Sequence, residues 1–293
     1  MTVCLFSGDE PNTEEHVIPT WLQKRLNLAN QTLYLPNGTR LPYKHAKVPA
    51  KSEHNNKFAQ IESRVSQGAF DPLEVYLWAF KIHLGLIYRD TTLRSDIRNP
   101  NAPMIFDGSD FESDTFLFRQ LYRAWANSGK IEPNPLGSVF VVDSLTSHDR
   151  FDLIHCLLTG TVAIDIGTKF ILVLLWDQGF AAGSNALKMW SEFHVANVTK
   201  AQEGPDRDHQ AYMVKHAWAA EVAYFAHRHS RSFSTISTDS QVTGIATGRT
   251  RPLEHSDEEF DAVALNFGLE RGINDESGLP AYRMRRPPPR LRT

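Results

Sequence analysis

The chain has 293 residues, of which 41% are hydrophobic and 22% are charged, and these values are ordinary for a globular protein. Its formal net charge of −3 excludes a uniformly basic nucleic-acid binder but allows a basic face on part of the surface. The only cysteines, Cys4 and Cys156, exclude a disulfide framework and a zinc site made of four cysteines. The N-terminus lacks the pattern of a signal peptide, and the most apolar run, 161–176, is short for a membrane span. We therefore expect a soluble, cytoplasmic protein without a membrane partner.

The first part of the chain, residues 1–68, predicts a small module of short elements. Residues 20–28 favour a short helix, and Asn37-Gly38 predicts a hairpin across 32–43. A longer helix is predicted over 55–68, where an apolar stripe repeats at helical spacing and Gly68 follows as a stop signal. The stripe consists of Phe58, Ile61 and Val65.

A new helix is predicted to begin at residue 71, after a domain boundary near residue 69. Asp71 is a good N-cap, Pro72 suits the first helical position, and Glu74 completes a capping box. The following residues place apolar side chains along one helical stripe. That stripe consists of Leu73, Leu77, Phe80, Leu84 and Ile87.

The rest of the chain, 69–279, alternates between strand and helix patterns, which favours a larger mixed α/β domain of unassigned role. Residues 138–143 predict a strand, 150–160 fit either state, and 161–177 predict two strands around Gly167. A long helix is predicted over 208–229. The last residues, 280–293, combine arginines with a proline run and are predicted to form a flexible tail.

Two motifs carry the functional information: EEHVIPTWL at 14–22 and NNKFAQIE at 55–62. An acid beside His16 favours the protonated ring or fixes one tautomer of the neutral ring, and Pro19 prevents a regular helix through the site. Taken together and in this order, the motifs resemble the HNH, or His-Me finger, endonucleases. The resemblance covers roughly residues 4–64 and implies an α+β fold that opens with a ββα-metal module.

The resemblance implies a β-hairpin and a helix that hold one divalent cation beside the scissile phosphate. In that scheme His16 is the general base that takes a proton from the attacking water. Glu15 and Asn55 match the two metal positions, and Asn56 or Glu62 adds a ligand or orients the others. Oxygen ligands of this kind suit Mg²⁺ or Mn²⁺.

The family's four zinc cysteines fall here on Cys4, Ser7, Lys51 and His54. Only Cys4 and His54 can still bind a metal well, so His54 joins the candidate metal ligands. We expect the structural zinc to be absent and the module to be held together by apolar packing. The residues available for that packing are Leu5, Phe6, Trp21 and Phe58.

Basic residues between 40 and 64 outnumber the two acids there, which predicts a local face that attracts phosphates without reading bases. The predicted partner is nucleic acid, DNA rather than RNA, and the C-terminal domain could add a protein partner or form a homo-oligomer. The basic residues are Arg40, Lys44, Lys47, Lys51, Lys57 and Arg64.

The sequence leaves two other interpretations open. One is a catalytically silent HNH-like module that binds nucleic acid or protein. The other is an ATP-using enzyme, because Asp165 to Thr168 resembles the phosphate loop of the sugar kinase and actin class. That loop lacks a second Asp-Gly counterpart, and a hairpin with a bend at Gly167 explains the same residues. The preferred interpretation is a metal-dependent hydrolase of phosphodiester bonds.

Overall fold

The computed structural model describes residues 3–35, 37–106, 108–144, 151–184, 207–229, 232–238, 241–247, 253–271 and 282–284. Helices and several small sheets alternate along the chain, so the fold is mixed α and β, as predicted. No helix in the described part of the chain is long and apolar enough to cross a membrane.

The described elements are given in chain order. Up to residue 136 they are β1 (Thr13–His16), α1 (Thr20–Arg25), β2 (Thr32–Tyr34), β3 (Arg40–Pro42), β4 (Lys47–Ala50), α2 (Ser52–Ser66), α3 (Pro72–Asp90), α4 (Gly108–Ala126) and β5 (Lys130–Glu132). From residue 137 they are β6 (Ser138–Asp143), β7 (Asp152–Cys156), β8 (Thr161–Asp165), β9 (Lys169–Leu174), α5 (Phe180–Gly183), α6 (Arg207–His229), β10 (Ser232–Thr238), β11 (Gln241–Thr247), α7 (Asp257–Asn266), β12 (Leu269–Arg271) and β13 (Tyr282–Met284).

The chain divides into two compact units, Met1–Leu136 with Phe233–Ala246, and Gly137–Ser232 with Thr247–Thr293. The first unit therefore continues past residue 69, where the sequence predicted a domain boundary. The reason is packing, because α3 contacts both α2 and α4 within this unit.

The module before residue 69 has the predicted short elements. β1 and β4 pair antiparallel, and the β2–β3 hairpin lies between them in sequence. Its turn uses Gly38 at φ 80°, a conformation that glycine adopts without strain, as the Asn-Gly pair predicted. Short helix α1 forms where it was expected, although it ends at Arg25.

Helix α2 follows β4 directly, and its apolar stripe decides how it packs. Phe58, Ile61 and Val65 are all buried, as the helical spacing predicted. The helix ends before Gly68, which has φ 84° and so terminates it in the left-handed conformation. These features confirm the predicted helix, which begins three residues earlier than expected, at Ser52.

Helix α3 begins as predicted, since Asp71 accepts a hydrogen bond from the Glu74 N–H at 3.1 Å. The Glu74 carboxylate does not complete a capping box but pairs with Arg64 of α2. Of the predicted apolar stripe, Leu77, Phe80, Leu84 and Ile87 are buried, and burial extends beyond the stripe to nearly the whole circumference of α3. Among its buried residues are a lysine, Lys81, and a glycine, Gly85.

The core of the first unit is aromatic. The Phe6 ring lies 5.1 Å from the Phe58 ring and 5.3 Å from that of Tyr122, and Phe118 stacks on Tyr122. These side chains come from the N-terminal turn, α2 and α4, so the core ties the module to the helices that follow it. Near β1, Trp21 stacks on Trp78 of α3 at 6.5 Å.

The second unit contains an antiparallel sheet in the order β6-β9-β8-β7, with α6 packed against it. The strands at 138–143 and on both sides of Gly167 are confirmed, as is the long helix, and the ambiguous residues 150–160 contain strand β7. Part of the predicted flexible tail is ordered instead, because Tyr282–Met284 pairs with β12. The rest of the tail lies outside the described residues.

Candidate active site around His16

His16 is the last residue of β1 and lies opposite Lys47 in the pair with β4. The strand ends there because Pro19, which has no backbone N–H, turns the chain into α1. The imidazole is half-buried, and its Nδ1 lies 3.4 Å from the hydroxyl oxygen of Thr20. The ring is therefore held by a neighbouring side chain while part of it remains open to water.

The environment of His16 favours the neutral ring. Burial lowers the pKa of His16, and the positive charges of Lys47 and Lys81 lower it further. Glu15 and Glu14 act in the opposite direction but do not outweigh these effects. The lowered pKa favours the neutral imidazole, the form that can accept a proton, over the protonated ring.

Glu15 and Glu62 both form an ion pair with the same lysine, Lys81, which lies outside the two sequence motifs. The ammonium of Lys81 lies 2.9 Å from Glu15 Oε1 and 2.7 Å from Glu62 Oε1, and it donates to the His16 carbonyl oxygen at 2.8 Å. The Lys81 side chain is fully buried, and the two carboxylates are 12% and 13% exposed. An ammonium has three N–H groups, so each has an oxygen acceptor here.

Two acids and one base share this buried site, and the charges interact strongly. Burial opposes the charge of Lys81, but Glu15 and Glu62 outweigh it and raise the pKa of Lys81. Burial also raises the pKa of Glu62; the positive charge of Lys81 partly offsets this, while Glu15 adds to it. Glu62 therefore binds a proton more readily than an ordinary glutamate, and one proton would make the cluster neutral.

The other predicted metal ligands do not join this cluster. Asn55 is half-buried in the first turn of α2, and Asn56 is exposed. His54 contacts Tyr122 instead, with Nδ1 3.3 Å from its hydroxyl oxygen. Within the described part of the chain, no three His, Cys, Asp or Glu side chains are placed to hold one metal ion.

The four positions that would bind zinc in the family are brought together by other contacts. Cys4 Sγ accepts the Lys51 N–H at 3.2 Å, and the Lys51 ammonium pairs with Asp9 at 3.4 Å. Ser7 accepts a hydrogen bond from the Asp9 N–H at 3.3 Å. A cavity of about 380 Å³ lies beside them, and its lining includes Ser7, Asp9 and His54. The N-terminal turn is thus attached to Lys51, the residue before α2, by a thiol hydrogen bond and an ion pair.

Most of the predicted nucleic-acid-binding residues already contact groups within the unit. The contacts are Lys47 with Glu14 (3.2 Å), Lys51 with Asp9 (3.4 Å), Lys44 with Asn30 (2.9 Å), Lys57 with the Ala126 carbonyl (2.5 Å) and Arg64 with Glu74 (2.6 Å); Arg40 is exposed. Arg64 is committed to structure, because its partner carboxylate is only 11% exposed. The exposed pairs of Lys47 and Lys51 are weak and could be exchanged for a phosphate.

The residues that resembled a phosphate loop form the turn between β8 and β9, with Gly167 at φ 84°. Asp165 is fully buried and pairs with Lys215 of α6. It also accepts hydrogen bonds from the Ser144 hydroxyl and the Gly167 N–H. This is the predicted hairpin, and its carboxylate is committed to internal partners.

Lys81 and Gly85 are the residues of this site that the sequence motifs missed. They lie one helical turn apart on α3, so they share the side that meets the end of β1. A Cβ on Gly85 would lie 2.6 Å from Val17 Cγ2, so glycine is needed for this close approach. The sequence did contain a sign of the buried lysine. Lys81 lies in the apolar run WAFKIHL, where most helical positions are apolar and a charged side chain is hard to place in solvent.

Comparisons of the chain with family models, with curated proteins and with solved structures each found no match. The two motifs and the geometry around His16 are therefore the features that point to a function.

Proposed function

We propose that the N-terminal module is an HNH-type endonuclease that hydrolyses nucleic-acid phosphodiester bonds, in DNA rather than RNA, with His16 as general base. The observation that carries the proposal is the position of the half-buried His16 at the end of β1, where part of the imidazole stays open to water and burial lowers its pKa. A neutral imidazole can take a proton from water at pH 7, and phosphodiester hydrolysis needs such an activated water. The antiparallel pair of β1 and β4, followed by α2, supports the ββα module that the resemblance implies.

Lys47 supports this role by its position. It lies opposite His16 in the strand pair, and its side chain is 31% exposed. Its ion pair with Glu14 is at the surface and stabilises little, so a phosphate can replace Glu14. A nucleic acid bound there would place its backbone near the general base without base-specific contacts.

The divalent cation implied by the resemblance does not fit the predicted ligands as they stand. Glu15 and Glu62 both bind the Lys81 ammonium, which uses its three donors on them and on the His16 carbonyl. Asn55 and Asn56 would offer neutral amide oxygens only, whereas Mg²⁺ sites in proteins are built on carboxylates. The roles proposed for His16 and Lys47 therefore do not depend on a metal ion.

The position of Lys81 favours a second candidate, a catalytically silent module that binds nucleic acid or protein. In this case the buried ion cluster would serve only to join β1, α2 and α3. The two candidates differ in one observable property, the cleavage of nucleic acid.

Supercoiled-plasmid nicking tests the proposal, with EDTA, Mg²⁺ or Mn²⁺ added to the full chain. His16→Ala should reduce the cleavage rate by roughly 10²–10⁴, the usual contribution of a positioned general base. His45→Ala is the matched control, because His45 is an exposed histidine of the same module. It should cleave at the wild-type rate.

The pH dependence adds a second measurement. Because the pKa of His16 is lowered, the base form persists below pH 6.5, and the rate should fall only at more acidic pH. Wild-type cleavage by a folded His16→Ala protein would remove His16 from the mechanism. No cleavage by the wild type under any of these conditions would favour the silent module.

A further inference from the structure

The oxygen atoms around the Lys81 ammonium form a cradle for a cation. Two carboxylate oxygens and one backbone carbonyl oxygen lie 2.7–2.9 Å from the nitrogen. Carboxylate and carbonyl oxygens are also the ligands that hard divalent cations bind in proteins. We call the oxygens of Glu15, Glu62 and the His16 carbonyl the cation cradle.

The cradle has more negative charge than its lysine neutralises. Two carboxylates and one ammonium sum to −1 when all are ionised, and the side chains are nearly excluded from water. A divalent cation in place of the ammonium would give a sum of zero. Excess negative charge destabilises a buried ion pair. A divalent cation would neutralise both carboxylates.

The distances set which ions suit the cradle. Ca²⁺ binds oxygens at about 2.3–2.6 Å, which is close to the present spacing, whereas Mg²⁺ needs about 2.0–2.1 Å in a strict octahedron. Each ligand would move by a few tenths of an ångström for Ca²⁺ and by more for Mg²⁺. Truncation of Lys81 would leave room for the ion and for waters that complete its coordination.

We propose that Lys81 is a built-in cation that occupies a divalent-cation site formed by Glu15, Glu62 and the His16 carbonyl. The intact chain binds no divalent cation at the cradle, and Lys81→Ala converts it into a site for Ca²⁺ or Mn²⁺. The same lysine joins α3 to β1 and α2, so the cradle keeps its shape without an external ion. This inference goes beyond the proposed function, because it concerns cation binding and holds whether or not the chain cuts nucleic acid.

Titration of the full chain with CaCl₂ by calorimetry, and with MnCl₂ by electron paramagnetic resonance, tests the inference. Lys81→Ala should bind one Ca²⁺ or Mn²⁺ with a Kd of about 0.1–1 mM, the range of weak calcium sites in proteins. The wild type should bind at least tenfold more weakly. Lys81→Ala/Glu62→Gln is the matched control, because it keeps the space and removes one ligand charge, and it should lose the binding.

The same cations also test the inference if the Lys81→Ala protein does not fold by itself. If Lys81→Ala is unfolded without cations, Ca²⁺ should restore its circular dichroism spectrum, while KCl at equal ionic strength should not. The inference is overturned if folded Lys81→Ala binds neither ion, or if an unfolded variant stays unfolded with Ca²⁺. It is also overturned if the wild type binds Mn²⁺ as tightly as Lys81→Ala and loses this binding in Glu62→Gln.

Discussion

Both compact units contain a lysine with no solvent exposure, and the two lysines differ in their partners. Lys81 in the first unit lies between two carboxylates, Glu15 and Glu62. Lys215 in the second unit pairs with Asp165 and lies over the ring of Phe170 at 5.0 Å. Each buried lysine thus has a carboxylate partner, and Lys81 forms ion pairs with two carboxylates.

The second glutamate distinguishes the Lys81 site chemically. The Lys215–Asp165 pair is neutral, and the Ser144 hydroxyl and the Gly167 N–H also stabilise that carboxylate. The charge of Lys215 also acts on Asp152, but that carboxylate has its own partner in His216. The Lys81 cluster reaches neutrality only by taking up a proton or a further positive charge. We therefore interpret the Lys215 pair as structural, and the Lys81 cluster as the one that responds to protons and cations.

The largest effect is expected from removing each ammonium while keeping the side-chain volume. Lys81→Met leaves two buried carboxylates without their cation and should lower the free energy of unfolding of the first unit by about 3–5 kcal/mol at pH 7. Lys215→Met should cost less, because Asp165 keeps two hydrogen-bond donors. Hydrogen exchange of α3 and of β8 separates the effects on the two units.

The pH dependence distinguishes the sites further. In Lys81→Met the unpaired carboxyl groups have a raised pKa, so protonation stabilises the folded state and the loss should shrink as the pH falls from 7 to about 5. An equal, pH-independent loss in both variants would contradict the distinction that we draw between them.

The next effect concerns the packing that brings α3 to β1. Gly85→Ala places a methyl group 2.6 Å from Val17 Cγ2, and such overpacking costs about 1–3 kcal/mol. The better helix propensity of alanine returns at most about 1 kcal/mol, so a net loss is expected. Gly108→Ala in α4 is the control, since a Cβ there meets no described atom within 4 Å. Urea denaturation should show it to be neutral or slightly stabilising, and a stable Gly85→Ala would rule out the close approach.

The smallest effect comes from Asp90, a buried carboxyl group for which the described residues supply no cation. Burial raises its pKa to about 6, and its Oδ1 has no hydrogen-bond partner there. The folded-state pKa of Asp90 exceeds its ordinary value of 3.8. Folding therefore favours the protonated carboxyl group, and the stability of the folded state is highest below pH 3.8 and decreases as the pH rises through 6. The difference between these two pKa values sets an upper limit of about 3 kcal/mol for the stabilisation by Asp90→Asn at pH 7, which screening by solvent reduces, and the effect should nearly vanish near pH 4. Thermal unfolding at the two pH values measures this, and Asp96→Asn is an exposed control.

Local features of the sequence were good guides to local structure. The Asn37-Gly38 turn, the stripe of Phe58 and Ile61, and the Asp71 cap each depend on a few neighbouring residues, and all three form as predicted. The boundary near residue 69 was predicted from the same local signals. The first compact unit extends beyond it, because contacts between helices are not encoded in the signals that start and end each helix.

The candidate site shows the same limit. The resemblance implied that His16 lies on the first strand and that Asn55 opens the helix; His16 is the last residue of β1, and Asn55 is the fourth residue of α2. It could not show that Glu15 and Glu62 meet at Lys81, which is 19 residues beyond Glu62 and outside both motifs. Electrostatic interactions act through space, so the pKa of His16 and the occupant of the cradle depend on which side of α3 faces β1. That orientation is decided by tertiary packing, through the close approach of Gly85 to Val17.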